Sequence, residues 1–244
     1  LMARVRERIA DGRVLKLLEG FLTQGVMEDM KDWKPTAGSP QGAVVSPLLS
    51  NIYLNPLDHR MAAEGFEMVR YADDMVILCR SAPEAQAALV RVEGWMAQSG
   101  LTLHPTKTRI VDLNEPDGFD FLGYHFQRDR RDPKRILRWL REKSIGKLRD
   151  TLRGQTPRKS GVSLEVVIAR VNRTLRGWFG YFQHTNVDTV FRPLDGWLRR
   201  RLRRILLKRL KKPRRSGLGT AHHRWPNAFF AGRGLFSLAT AHAS

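Results

Sequence analysis

Met68-Val69-Arg70-Tyr71-Ala72-Asp73-Asp74-Met75-Val76-Ile77-Leu78-Cys79 joins two largely apolar segments through a short polar break. Apolar, β-prone residues on both sides of so short a break read as a tight hairpin, with its tip at the break. Two adjacent carboxylates, Asp73 and Asp74, stand at that tip. Held together in solvent they repel each other unless a hard cation with a preference for oxygen neutralises them, Mg²⁺ by choice and Mn²⁺ as a substitute. An Asp-Asp pair in isolation is ordinarily a solvated turn, because Asp is a common turn former. The surrounding sequence has to decide between the two readings.

Upstream of the hairpin lies Gly38-Ser39-Pro40-Gln41-Gly42-Ala43-Val44-Val45-Ser46-Pro47-Leu48-Leu49-Ser50-Asn51-Ile52-Tyr53-Leu54. Downstream, Gly100-Leu101 and Pro105-Thr106-Lys107-Thr108 precede Phe119-Asp120-Phe121-Leu122-Gly123-Tyr124. In order and spacing across residues 36 to 126, these runs and the hairpin resemble the successive blocks of reverse transcriptases encoded by group II introns. The resemblance implies RNA-directed DNA synthesis, with Asp73 a direct metal ligand and Asp74 a supporting one. It places Gly38, Pro40, Gln41, Gly42, Ala43 and Tyr71 near the template and the pairing nucleotide, and Lys107 near the triphosphate. Taken without it, Gln41 is a loop hydrogen-bonder and Lys107 an exposed turn cation. Ala43 departs from the family pattern, which usually has a second glycine there. The implied chemistry is two-metal phosphoryl transfer, in which ions roughly 3.5–4 Å apart activate the primer hydroxyl and neutralise the leaving pyrophosphate. Its substrates are an RNA template with a DNA primer, and dNTPs.

Charge divides the chain. Residues 1–126 hold 13 Lys and Arg against 17 Asp and Glu, whereas residues 127–244 hold 30 against 7. A one-sided basic excess of this size is the electrostatic footprint of a polyanion binder, and nucleic acid is the reading it favours over a membrane surface. No apolar run approaches the roughly 18 residues of a spanning helix. The lone cysteine, Cys79, sits in an apolar strand and reads as a core residue in a reducing cytoplasm.

Residues 2 to 24 read as an amphipathic helix broken at Asp11-Gly12, with Leu15, Leu18, Phe21 and Leu22 at helical spacing. Ser46 is suited to cap a helix with Pro47 in its first turn and Leu48, Leu49, Ile52, Tyr53 and Leu57 as its apolar face. Ala82 to Ser99 is helical again and stops at Gly100. Beyond residue 126 strand signals fade and helices are expected. Ser163 to Phe182 carries Val167, Val171, Leu175, Trp178 and Phe182 on one face, and Trp197 to Lys212 combines a Leu/Ile stripe with nine basic residues. The expected fold class is α+β: a partial polymerase palm over residues 1–126, an all-α thumb or maturase bundle over 127–212, and a basic C-terminal tail over 213–244.

Asn172-Arg173-Thr174-Leu175-Arg176-Gly177-Trp178-Phe179-Gly180-Tyr181-Phe182 resembles the thumb signature of group II intron proteins. That resemblance implies group II intron RNA as partner, with promotion of splicing as a second activity. The cations expected to meet phosphate are Arg173, Arg176, Arg199, Arg200, Arg203, Arg204, Lys208 and Lys211; Trp178, Phe179 and Phe182 are expected in the helix core. The family's first catalytic aspartate motif has no counterpart here, since Asp11 lacks an apolar strand and Asp58 falls on a helix. The chain is therefore expected to be the C-terminal portion of a longer protein, inactive alone in polymerisation, with the upstream segment as a partner. Two other readings stay open: a non-catalytic RNA-binding splicing cofactor, and a related reverse transcriptase of phage-defence or CRISPR systems.

Overall fold

The computed structural model describes residues 1–23, 26–28, 31–33, 45–159, 161–187, 189–210 and 218–243. They form two compact units, residues 1–112 and 113–244. The first contains α1 (Met2–Arg6), α2 (Gly12–Thr23), the short antiparallel pair β1 (Val26–Glu28) and β2 (Lys31–Trp33), α3 (Ser46–Ala63), the hairpin β3 (Glu67–Tyr71) and β4 (Asp74–Leu78), and α4 (Ala82–Gln98). The helix break at Asp11-Gly12 is where α1 and α2 separate, with Asp11 accepting the Arg13 amide at 2.7 Å. Ser46 is not the cap of α3. That position falls to Val45, which makes no side-chain capping bond, and Ser46 and Pro47 lie inside the first turn. Leu48 is likewise 58% exposed, and the buried face of α3 is Leu49, Leu54, Leu57 and Met61.

Two small cores stabilise this unit. Val5, Leu18 and Leu49 bury together at the junction of the first three helices. Leu54, Leu57 and Met61 of α3 pack with Ala88, Val92, Trp95 and Met96 of α4, and Met68, Met75 and Ile77 of the hairpin lie on this layer. Ser81 caps α4 by accepting the Glu84 amide, and Glu84 returns to the Arg80 amide at 2.7 Å.

The second unit opens with the sheet β5 (Phe119–Phe121), β6 (Tyr124–Arg128) and β7 (Ile136–Leu140), antiparallel throughout. Leu122 and Gly123 form the β5–β6 loop with φ +49° and +83°, as a two-residue type I′ hairpin requires. Gly118 has no substitute, since a Cβ there would sit 2.2 Å from the Phe126 carbonyl oxygen. The edge of β7 is closed by Asn186, whose side chain accepts from the Arg138 amide and donates to the Ile136 carbonyl, both at 2.7 Å. Strand β7 is a departure from the all-helical expectation after residue 126. It also moves the boundary, because β6 pairs with β7 as well as with β5, and the whole sheet groups with the second unit.

After the sheet come α5 (Glu142–Gln155), α6 (Leu164–Phe182), α7 (Phe191–Arg209), α8 (Leu218–Arg224), α9 (Asn227–Ala231) and α10 (Leu238–Ala243). Leu148, Leu152, Val167, Val171, Leu175, Leu198, Leu202 and Ile205 fill a common core. The segment expected as a basic tail is part of that core. Ala221, Trp225, Phe230 and Leu238 are buried in it. Asp195 of α7 caps α10, accepting from the Leu238 amide at 3.1 Å, the Ala239 amide at 3.2 Å and the Ser237 hydroxyl at 2.7 Å. Asn172, the first residue of the thumb signature, clasps the same segment, donating to the Gly234 carbonyl at 2.7 Å and accepting from the Phe236 amide at 2.8 Å. Phe230→Ala is accordingly expected to cost about 3–5 kcal/mol, read as a shift in urea unfolding. A tail residue would leave the midpoint unchanged.

Candidate functional site: an acidic hairpin tip and a basic helical face

The register Met68↔Ile77, Val69↔Val76, Arg70↔Met75 and Tyr71↔Asp74 leaves Ala72 and Asp73 as the loop. Ala72 carries φ +54°, a conformation that costs a residue with a Cβ about 1–2 kcal/mol. Asp73 and Asp74 are both exposed. Tyr71, 67% exposed, shares the open face of the hairpin with Val69 and Glu67. The donor set suits a divalent cation in part: two carboxylates at one tip supply oxygens, and Mg²⁺ is commonly held by one or two carboxylates plus substrate phosphates. Among the described residues no group of three or more His, Cys, Asp or Glu side chains could hold a metal ion.

The inward face of the hairpin holds Met68 and, nearest the tip, Arg70. Its guanidinium bonds both carboxylate oxygens of Asp58, with Nε at 2.7 Å from one of them. A terminal nitrogen also donates to Asn51 Oδ1 at 2.9 Å and to the Ala72 carbonyl at 2.6 Å. Hydrogen bonding to Asp58, the largest influence, raises the Arg70 pKa above its ordinary value. Sequence reasoning missed this brace; a charged residue at an inward strand position was the signal for it. Cys79 is half-buried beside the same layer, its thiol pKa raised first by burial and then by Glu84. Lys107 lies exposed in the turn after His104. Gly38, Pro40, Gln41, Gly42 and Ala43 lie outside the described residues, as does Lys211.

On α7 the basic residues separate into two sets. Arg200, Arg204 and Lys208 are exposed and recur every fourth residue, about 6 Å apart along the axis, with Arg199 half-exposed beside them. Arg201 instead closes the C-terminus of α5, reaching Thr156 Oγ1 at 2.8 Å and the Thr156 carbonyl at 3.0 Å. Arg203, expected at phosphate, is only 4% exposed. It donates to the Trp225 carbonyl and to Asn227 Oδ1, each at 2.9 Å, and its guanidinium lies 5.2 Å from the centre of the Phe230 ring. Burial, then the neighbouring Arg199 and Arg200, lower its pKa. This corrects the sequence reading: the folded C-terminal segment covers Arg203. Arg203→Gln is expected to cost about 2–3 kcal/mol of stability while leaving the salt dependence of RNA binding unchanged, as denaturation and binding titrations would record. On α6, Arg173 and Arg176 are exposed, Arg176 with its guanidinium 5.0 Å from the Phe236 ring centre. Trp178, Phe179 and Phe182 pack against the bundle core.

Residues 12–126 match the family described as reverse transcriptase (RNA-dependent DNA polymerase), and residues 145–225 match the maturase-specific domain of group II introns. The two domain matches, in this order, support a group II intron-encoded reverse transcriptase and maturase. It is similar to Protein YkfC of Escherichia coli (strain K12), 32% identical over 166 residues that cover 53% of this chain and 43% of that protein. Group II intron-encoded protein LtrA of Lactococcus lactis subsp. cremoris is 40% identical over 58 residues, 24% of this chain and 10% of that one. An uncharacterized 91 kDa protein in a cob intron of Schizosaccharomyces pombe is 24% identical over 182 residues, 50% and 22% of the two chains. The matched segments span less than half the length of these relatives.

The reverse transcriptase match ends at Phe126, inside the sheet that folds with the second unit. The maturase match takes in α6, α7 and α8, so the acidic hairpin and the basic helices fall in different members of the pair of family domains. Reverse transcriptases generally use divalent cations such as Mg²⁺. No helix among the described residues is long and apolar enough to cross a membrane.

Proposed function

We propose that this chain supplies the metal-binding hairpin and the RNA-gripping thumb of a protein that copies RNA into cDNA and promotes splicing of a group II intron. The observation that carries the reading is the braced hairpin with Asp73 and Asp74 exposed at its tip. Divalent cations held there would activate the primer 3′-hydroxyl and offset charge on the leaving pyrophosphate. Asp73 is the direct ligand and Asp74 its support. Tyr71, beside them on the open face, lies against the pairing nucleotide, and Lys107 offsets triphosphate charge. A third carboxylate is supplied from outside this chain.

RNA is gripped by phosphate contacts from Arg173, Arg176, Arg199, Arg200, Arg204 and Lys208, with Lys211 beyond them in sequence. Support comes from their exposure, where described, and from the excess of 30 basic over 7 acidic residues after position 126. The lone, half-buried Cys79 suits a reducing cytoplasm. A second reading, a splicing cofactor without polymerase activity, draws on the same basic face and dispenses with the hairpin.

Primer extension separates the two. The 244-residue chain alone is expected to extend a DNA primer on RNA negligibly. Fused behind the upstream part of a related group II intron reverse transcriptase, it is expected to extend robustly. An inactive fusion that still binds intron RNA would favour the cofactor reading, and robust synthesis by the isolated chain would contradict the need for an outside carboxylate.

A further inference from the structure

Strand alternation calls for an apolar side chain at the inward position of β3 nearest the tip, yet that position holds Arg70. Its side chain is 8% exposed, and its contacts converge from two directions. Asp58 and Asn51 stand two turns apart on the same face of α3, and both accept from the guanidinium. The third acceptor is the carbonyl of Ala72, the loop residue at φ +54°. Arg70 therefore ties a helix to the strained residue that directly precedes Asp73. Without that tie the loop can relax out of the left-handed region, and Asp73 turns with it.

The ion pair also settles the charge around the tip. An unmatched guanidinium beside Asp73 and Asp74 would compete with a cation for their carboxylates. Because Asp58 matches Arg70, the tip keeps its negative charge for a ligand from solvent. Lysine could supply the charge but not the planar fork that spans Asp58 and reaches Ala72 together.

We propose that Arg70, anchored by Asp58 and Asn51, is a positioning residue that fixes the carboxylates of Asp73 and Asp74 in the orientation that takes a divalent cation. The inference rests on the metal reading of the hairpin tip. The test is a Mn²⁺ titration of the full chain by electron paramagnetic resonance, paired with hydrogen exchange of residues 67–78. Asp73→Ala defines the part of the Mn²⁺ signal that belongs to the tip. Arg70→Gln is expected to weaken that part by about tenfold, as loss of a ligand-orienting partner does. Exchange in the hairpin should accelerate while exchange in α4 stays as in wild type. Arg70→Lys, which keeps the charge and is the fallback if the Gln variant also loosens α4, is expected to weaken Mn²⁺ as well. Wild-type Mn²⁺ affinity and hairpin exchange in either folded variant would overturn the role of Arg70 alone. A wild-type chain with no Asp73-dependent signal would instead sink the metal reading of the tip, and with it the purpose assigned to Arg70.

Discussion

Single-turnover primer extension by the fused, extension-competent polypeptide is expected to fall by about 10³-fold when Asp73 becomes Ala, since a ligand to catalytic metal contributes several kcal/mol and each 1.4 kcal/mol is tenfold. RNA affinity should stay within about twofold, because the phosphate contacts lie on other elements and exposed carboxylates contribute little to them. Asp74→Ala, as the supporting carboxylate, should cost less, on the order of 10-fold to 100-fold. Both residues are exposed and neither belongs to a buried core, so folding should survive both changes. Retention of more than about a tenth of the rate in Asp73→Ala would remove the tip from the chemistry.

The second large effect concerns salt. Replacing Arg199, Arg200, Arg204 and Lys208 together by Gln is expected to flatten the slope of log K against log salt by about three units, since each phosphate contact contributes roughly 0.7–0.9. At about 0.1 M salt the loss of affinity should reach roughly 10²–10³. Fluorescence anisotropy with a labelled RNA across a salt series reads both quantities. An unchanged slope would mean that this face of α7 meets solvent rather than phosphate.

Those four residues exclude Arg203, and the reason marks where the sequence stopped being legible. By residue type Arg203 is indistinguishable from Arg204. What separates them is the segment that folds over one and not the other, through Trp225, Asn227 and Phe230. That segment was unreadable as structure because its apolar residues come in short clusters broken by Pro226, Gly232 and Gly234, and its helices of five to seven residues are too short to display a period. Strand β7 escaped for a similar reason, since Ile136-Leu137-Arg138-Trp139-Leu140 has a single polar residue and no clean alternation.

The acidic hairpin was legible because two apolar, β-prone segments flank a short polar break, and its register, which buries Met68, Met75 and Ile77 together, is what the fold adds. Helices α4 and α6 were legible too, α4 by its stop at Gly100 and α6 by its stripe of Val167, Val171 and Leu175, and the structure adds a serine cap to each, Ser81 and Ser163. Arg70 was not, since its partners Asp58 and Asn51 are 12 and 19 residues away and only the fold brings them to it.

The most direct test of a combined polymerase and maturase is splicing of a group II intron RNA at a Mg²⁺ concentration too low for self-splicing, run with the fused polypeptide as wild type, as Asp73→Ala and with the four-cation change on α7. Acceleration by wild type and Asp73→Ala alike, lost in the α7 variant, is the expected result. Splicing unaffected by the wild-type protein, together with equal affinity for the intron and for unstructured RNA of the same length, would contradict it.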